Sequence, residues 1–188
     1  MMLEAVYYVT QIIAVGAILA SLVAIYMQQR KDHILARADS QREVLQLNSN
    51  IFDSWADDPI ALKSFQACLL DYETASGHRQ VQFCKYMHQL IMVSEIAVFL
   101  DRDGLINKNS YDKIIAWNAT LIGTPGGRQY WEAAGLAYSA NVVEALNAYI
   151  GAHPIGLETV YEIAPFLRPD PEAPASADES EADQTPES

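Results

Sequence analysis

The chain has 188 residues and carries 24 acidic against 12 basic side chains, a formal net charge of −12. After removal of an anchor and a tail, this length suits one compact domain. Its Lys and Arg residues are scattered and form no basic patch, so the composition argues against a nucleic-acid partner.

Residues 5–29 contain no charged side chain and are mostly apolar. A helix crosses the hydrocarbon core of a bilayer, about 30 Å, with roughly 20 such residues. A cleaved signal peptide would begin with basic residues and have a shorter apolar core, and an interfacial helix would carry a charged face. We therefore predict a transmembrane anchor over residues 1–29, with the lipid bilayer as its partner.

The charges around this segment predict its orientation. Basic residues follow it, whereas Glu4 is the one charged side chain before it. The positive-inside rule then places the N-terminus outside and everything after the span in the cytosol, in a single-pass inner-membrane protein. The residues predicted at the membrane interface are Tyr7, Tyr8, Tyr26, Arg30 and Lys31.

Small residues recur at every fourth position of the span, at Gly16, Ala20 and Ala24. This spacing lets two helix backbones approach closely, which is one route to a homodimer in a membrane. The alternative interpretation is that Gly and Ala are simply frequent in membrane helices.

A juxtamembrane helical stalk is predicted over residues 30–56, since no Gly or Pro occurs from residue 17 to residue 58. Val44, Leu47, Ile51 and Trp55 keep one apolar stripe at helical spacing. Such a stalk could hold a domain away from the membrane or fold back onto that domain. The sequence leaves both arrangements open, and it does not show whether the stalk is continuous with the span.

Residues 57–168 predict a small cytosolic bundle of about five helices, because no segment alternates with the period of a strand. Asp58 and Pro59 are typical of a helix start, and Gly77 is expected to end that helix. Further helices are predicted over residues 79–100, 110–121 and 139–150. A loop over 123–127 is followed by a short helix that ends at about residue 134, and a short turn of helix is predicted within 157–167. The fold class is therefore all-α. The core residues predicted for this bundle are Phe65, Leu69, Phe83, Leu90, Ile96, Phe99, Ile114, Trp117, Trp131, Leu146 and Tyr149.

The best polar constellation lies on the helix predicted over 79–100. Cys84, His88 and Glu95 share one stripe, and a Cys and a His four residues apart can bind one zinc ion. A satisfied core histidine beside a buried cysteine explains the same pattern, and we read Cys68 and Cys84 as reduced, buried thiols. Glu95 lies in an apolar run, so we expect it to pair with Arg128, Lys113 or His88.

Arg128 follows two glycines at the start of a helix, where it could help to hold an anion, although a turn with an Arg128–Glu132 pair is the simpler interpretation. The segment from Arg128 and Trp131 to Tyr138 and Ser139 resembles a broad group of uncharacterised bacterial proteins. Each has one N-terminal span and a small cytosolic helical domain. The resemblance implies architecture only. Arg128, Trp131 and Trp117 are accordingly interpreted as structural residues.

Residues 169–188 hold seven acidic side chains and no aromatic or branched aliphatic residue. Such a segment cannot bury enough apolar surface to fold, so a disordered acidic tail is predicted. No catalytic or cofactor-binding motif occurs, and no cofactor is expected. The favoured hypothesis is a membrane-tethered helical interaction or scaffold module for an unknown protein partner. The alternative is a small membrane-anchored metal-dependent enzyme or sensor that uses Cys84, His88 and Glu95.

Overall fold

The computed structural model describes residues 2–169. For residues 2–9 and 12 it describes the backbone only. The predicted acidic tail lies outside the described residues, apart from its first residue. Within the described range the chain forms seven α-helices, two short 3-10 helices and no strand, which confirms the all-α prediction. The helices are α1 (Met2–Asp57), α2 (Pro59–Leu70), α3 (Gly77–Arg102), α4 (Lys108–Ile122), α5 (Pro125–Ala134), α6 (Ala140–Ala152) and α7 (Leu157–Ile163).

Helix α1 runs without a break through the predicted anchor and the predicted stalk, over 56 residues. At about 1.5 Å per residue it is about 84 Å long. Its described side chains are exposed as far as Asp39, and from Val44 onward one side is buried against the other helices at Val44, Ile51 and Trp55. The second half of the predicted stalk is therefore part of the core of the domain.

Helix α3 is the central helix of the bundle and packs against α1, α2, α4 and α6. An aromatic cluster joins α1, α2 and α3: the Trp55 ring lies 4.8 Å from Phe65 and 5.4 Å from Tyr86, and Phe65 lies 5.0 Å from Phe83. Rings of this size bury large apolar areas, so this cluster is the main attachment of α1 to the domain.

Two helix boundaries differ from the predictions. Helix α2 ends at Leu70, and Gly77 begins α3 instead of ending α2. The side chain of Asp71 accepts hydrogen bonds from Thr74, which forms a turn in place of a further helical turn. Helix α5 begins at Pro125, inside the predicted loop, because the Thr124 hydroxyl accepts the Gly127 N–H as an N-cap.

Six of the eleven predicted core residues are buried: Phe65, Leu69, Phe83, Leu90, Ile114 and Leu146. Ile96, Trp117, Trp131 and Tyr149 are half-buried and pack against the core from its rim. The prediction was wrong for Phe99, which is 38% exposed and lies 5.2 Å from the Arg102 guanidinium. Its apolar sequence surroundings did not show that this side of α3 has no covering helix.

Candidate functional site

The polar side chains predicted on α3 contact two tyrosines from other elements. The Cys84 Sγ lies 3.2 Å from the Tyr72 hydroxyl, which follows α2. The His88 Nδ1 lies 3.1 Å from the Tyr138 hydroxyl, which precedes α6. The thiol and the imidazole therefore have different hydrogen-bond partners, one in the segment after α2 and one in the segment before α6.

Glu95 has a different partner from the three expected. Its Oε1 accepts a hydrogen bond from the backbone N–H of Ser139, at 3.3 Å. Ser139 is the N-cap residue of α6, where the helix dipole favours a negative charge. Glu95 therefore accepts the N–H of the N-cap residue of α6 across the interface between α3 and α6.

Among the residues whose side chains the structure describes, no three His, Cys, Asp or Glu form a group that could hold a metal ion. Two protein ligands leave a zinc site without the three or four that such sites use. The geometry of Cys84, His88 and Glu95 therefore gives no support to the metal-dependent alternative.

A chain of hydrogen bonds continues from His88 into the protein. The Tyr138 hydroxyl also lies 2.9 Å from the hydroxyl of Tyr130, a buried residue of α5. The indole of Trp131 stacks on Tyr138 with ring centroids 5.7 Å apart. This series of hydrogen bonds thus joins α3, α5 and the segment before α6, and His88 at its outer end is exposed.

These tyrosines are neutral at physiological pH. Burial raises the pKa of Tyr130 and of Tyr138 above the ordinary value, while the hydrogen bond to Cys84, together with burial, raises the pKa of Tyr72 to about 12. A protonated phenol donates a hydrogen bond and is a poor base or nucleophile. The hydroxyl groups of these three tyrosines are therefore suited to holding helices together through hydrogen bonds.

The stability of the protein is expected to fall in alkali, beginning near pH 9. Burial raises the pKa of Cys68 from 9.0 to about 11, so the unfolded chain loses this proton first. The free energy of unfolding then decreases between these two pH values by at most about 1.4 kcal/mol per pH unit from this group. Thermal unfolding of the wild type and of Cys68→Ala from pH 8 to pH 10.5 tests this. Equal pH dependence in both proteins would contradict it.

The residues interpreted as structural are placed as follows. The Arg128 Nε donates to the carbonyl of Gly123 at 3.0 Å, which closes the turn before α5. The Trp131 Nε1 donates to the Asn147 Oδ1 at 2.9 Å. The ring of Trp117 lies 6.0 Å from that of Phe52 on α1. All three contacts join neighbouring segments of the bundle.

Sequence reasoning missed the hydroxyl contacts of Tyr72, Tyr130 and Tyr138. Tyr72 and Tyr130 lie within predicted helices, and Tyr138 belongs to the resemblance. What was missing is the position of the polar end of each ring. The polar stripe on α3 is the signal that indicated one side of the cluster, because half-buried polar side chains need partners.

Two helices among the described residues are long and apolar enough to cross a membrane, α1 and α3. In α3, 44% of the most apolar window is buried inside the domain, whereas none of the corresponding window of α1 is buried. Tyr26, Arg30 and Lys31 are exposed on α1, and Tyr7 and Tyr8 belong to its first turns. The core contacts of α3 explain its apolar character, and α1 is left as the candidate span.

The chain was also compared with protein-family models, with curated proteins and with solved structures, and none of the three comparisons found a match.

Proposed function

We propose that the protein is a single-span membrane protein that holds a helical interaction domain at the cytosolic surface of the inner membrane. The observation that carries the proposal is the division of α1 into two parts. Its described first part exposes large aliphatic side chains such as Ile13, Leu19 and Leu22, and its last part is built into the domain core. A run of exposed aliphatic side chains with no charge among them is compatible with lipid and costly in water.

The helical domain is proposed to act as a module that binds a protein partner. Its polar groups on α3 make internal contacts to tyrosines and to a backbone N–H, as expected for residues that stabilise a fold. The orientation proposed for the domain follows from the basic residues after the span, among which Arg30 and Lys31 are exposed.

Membrane anchoring predicts that the full-length protein stays in the membrane pellet after a carbonate wash. An arginine at the centre of a span costs about 2.5–3.5 kcal/mol of insertion free energy, so Leu19→Arg should lower the integrated fraction strongly. Leu45→Arg is the matched control, because Leu45 is similarly exposed on the same helix but lies beyond the apolar segment. Wild-type protein in the supernatant, or equal loss in both variants, would refute the anchor.

The proposed orientation is tested in the same cells. A membrane-impermeant maleimide should label Met2→Cys in intact cells in a Cys68→Ala, Cys84→Ala background. Exposed Asp103→Cys, at the end of α3, should be labelled only after lysis. Labelling of Asp103→Cys in intact cells would reverse the orientation.

We further propose that two copies associate through the Gly16, Ala20 and Ala24 stripe. A straight α-helix completes five turns in 18 residues, so Ala20 and Ala38 lie on the same side of α1. On this side Ala38, Arg42 and Leu45 are exposed on the surface of α1. This side is turned away from Val44, Ile51 and Trp55, which pack on the domain, so a second helix can lie along it.

Cross-linking in membranes tests the association. Ala20→Ile places a branched side chain where the two backbones approach and should lower the association constant of the dimer roughly tenfold, equal to about 1.4 kcal/mol. Leu19→Ile is the control, since Leu19 lies outside the stripe. An unchanged dimer fraction in Ala20→Ile would exclude the stripe as the contact, and monomers under all conditions would exclude the dimer.

A further inference from the structure

The uninterrupted α1 relates the position of the domain to that of the span. The contact between α1 and the α3–α4 loop (residues 103–107) begins at Arg37, whose Nη2 lies 3.4 Å from the Ile106 carbonyl. One turn later, Gln41 hydrogen-bonds both Asn107 and Ser110. These contacts fix the loop against the part of α1 that follows the apolar segment.

Helices α1 and α3 run in opposite directions. Trp55 contacts Tyr86, and Arg37 contacts Ile106, so the C-terminal end of α3 lies nearer to the apolar segment of α1 than its N-terminal end does. The α2–α3 loop, which holds Ser76, therefore lies at the opposite end of α3 from the α3–α4 loop. With 26 residues in α3, the two loops are about 39 Å apart along its axis.

The α3–α4 loop lies close to the end of the span. Arg37 lies eight positions after Gln29, the last residue of the uncharged segment. This spacing corresponds to about 12 Å along the helix. The headgroup layer occupies about 5–8 Å on each side of the hydrocarbon core. Long side chains that flank this loop, at the end of α3 and the start of α4, can therefore reach the headgroups.

The loop has a defined shape, which a surface that docks on a membrane requires. Gly104 has a φ of +70°, and the N–H of Leu105 donates to the Leu100 carbonyl at 2.7 Å, as in a glycine-ended helix. Ile106 is buried, and the Asn107 Oδ1 accepts the Ser110 N–H to start α4. The chain direction therefore reverses in a tight, anchored turn.

The side chains around this turn suit a headgroup layer. The Arg102 and Lys108 side chains are 63% and 66% exposed, and Phe99 adds an exposed ring. Both cations have acidic neighbours, Asp103 at 3.1 Å from Arg102 and Asp112 at 3.3 Å from Lys108. Lys108 also lies 3.8 Å from Asp101. Exposed pairs of this kind contribute about 0–1 kcal/mol, so the carboxylates hold these cations only weakly.

We propose that the α3–α4 loop faces the bilayer and that Arg102 and Lys108 contact the phosphates of its headgroups. The inference rests on the proposed span, and it assigns one end of the domain to the membrane surface. The α2–α3 end then points away from the membrane and is free for a protein partner.

Energy transfer in liposomes tests this placement. Full-length protein without its two native cysteines, Cys68 and Cys84, receives a single dye at Asp103→Cys or at Ser76→Cys, both at exposed positions. The liposomes contain lipids with an acceptor dye on the headgroup. We expect strong transfer from position 103 and several-fold weaker transfer from position 76.

The outcomes separate this inference from the proposed function. Protein that a carbonate wash removes from the liposomes would refute the span, and with it the placement. Protein that stays integrated but transfers equally from both positions, or more from position 76, would overturn the placement alone.

A second variant tests the rigid coupling. Asp32→Pro interrupts α1 between the span and the first domain contact, because proline cannot donate to the helix and clashes with the preceding turn. It leaves Arg37 and Gln41 unchanged. The difference in energy transfer between positions 103 and 76 should become smaller in Asp32→Pro. An unchanged difference would show that the helix does not set the position of the loop.

Discussion

Replacing Trp55 with alanine is expected to lower the free energy of unfolding by about 3–5 kcal/mol, the range for loss of a large aromatic from a core. Trp55 is 2% exposed, and its ring contacts Phe65 of α2, Tyr86 of α3 and Phe166 near the end of the described chain. Its removal leaves a cavity where α1 joins the bundle. Urea or thermal unfolding in detergent measures the change.

Two variants sharpen this prediction. Leu45→Ala removes an aliphatic side chain that is half-exposed on the same helix, so its effect should stay within about 0.5 kcal/mol. Trp55→Phe keeps an aromatic ring and removes an indole N–H that has no hydrogen-bond partner among the described residues. Its cost should stay below about 1.5 kcal/mol. A Trp55→Ala protein as stable as Leu45→Ala would show that α1 is not part of the core.

Gly126→Ala is expected to destabilise the domain by about 3 kcal/mol or more, because there is no room for a methyl group. A Cβ on Gly126 would overlap the Cys68 carbonyl oxygen and lie 3.0 Å from the Tyr72 backbone nitrogen. Both are backbone atoms, so relief requires α5 to move away from α2. That movement would also break the hydrogen bond from the Tyr72 N–H to the Gln129 Oε1, which is 2.7 Å long.

Gly151→Ala is the matched control. Gly151 lies in α6, where an added Cβ would meet no atom within 4 Å. Alanine in a helix is favoured over glycine by roughly 0.5–1 kcal/mol, so this variant should be neutral or slightly more stable. Unfolding curves of the two variants should therefore shift in opposite directions. A shift of Gly126→Ala no larger than that of Gly151→Ala would contradict the close approach of α2 and α5.

Helix locations were largely predictable because caps and apolar spacing are local signals. Asp58 and Pro59 predicted the start of α2, and the Asp58 carboxylate does accept the N–H groups of Ile60 and Ala61. The two errors occurred where a side chain competed with the helix. Asp71 ended α2 early, and Thr124 started α5 within the expected loop. Such competition depends on which turn the side chain reaches, and composition does not show it.

Only the residues that α3 contributes to the candidate site were predictable from the sequence. The stripe of Cys84, His88 and Glu95 identified polar groups that need partners, but it did not identify the partners. Tyr72 lies 12 residues from Cys84, and Tyr138 lies 50 residues from His88. Partners so far apart in sequence meet only after the helices have packed.

The sequence by itself determined the all-α class, the long apolar segment near the N-terminus and most helix starts. Each depends on local hydrogen bonding or on the hydropathy of consecutive residues. Tertiary structure alone decided that α1 enters the core, that the polar stripe of α3 contacts tyrosines, and which loop lies beside Arg37. These features depend on side chains that are distant in sequence and become neighbours only when burial of apolar surface brings their helices together.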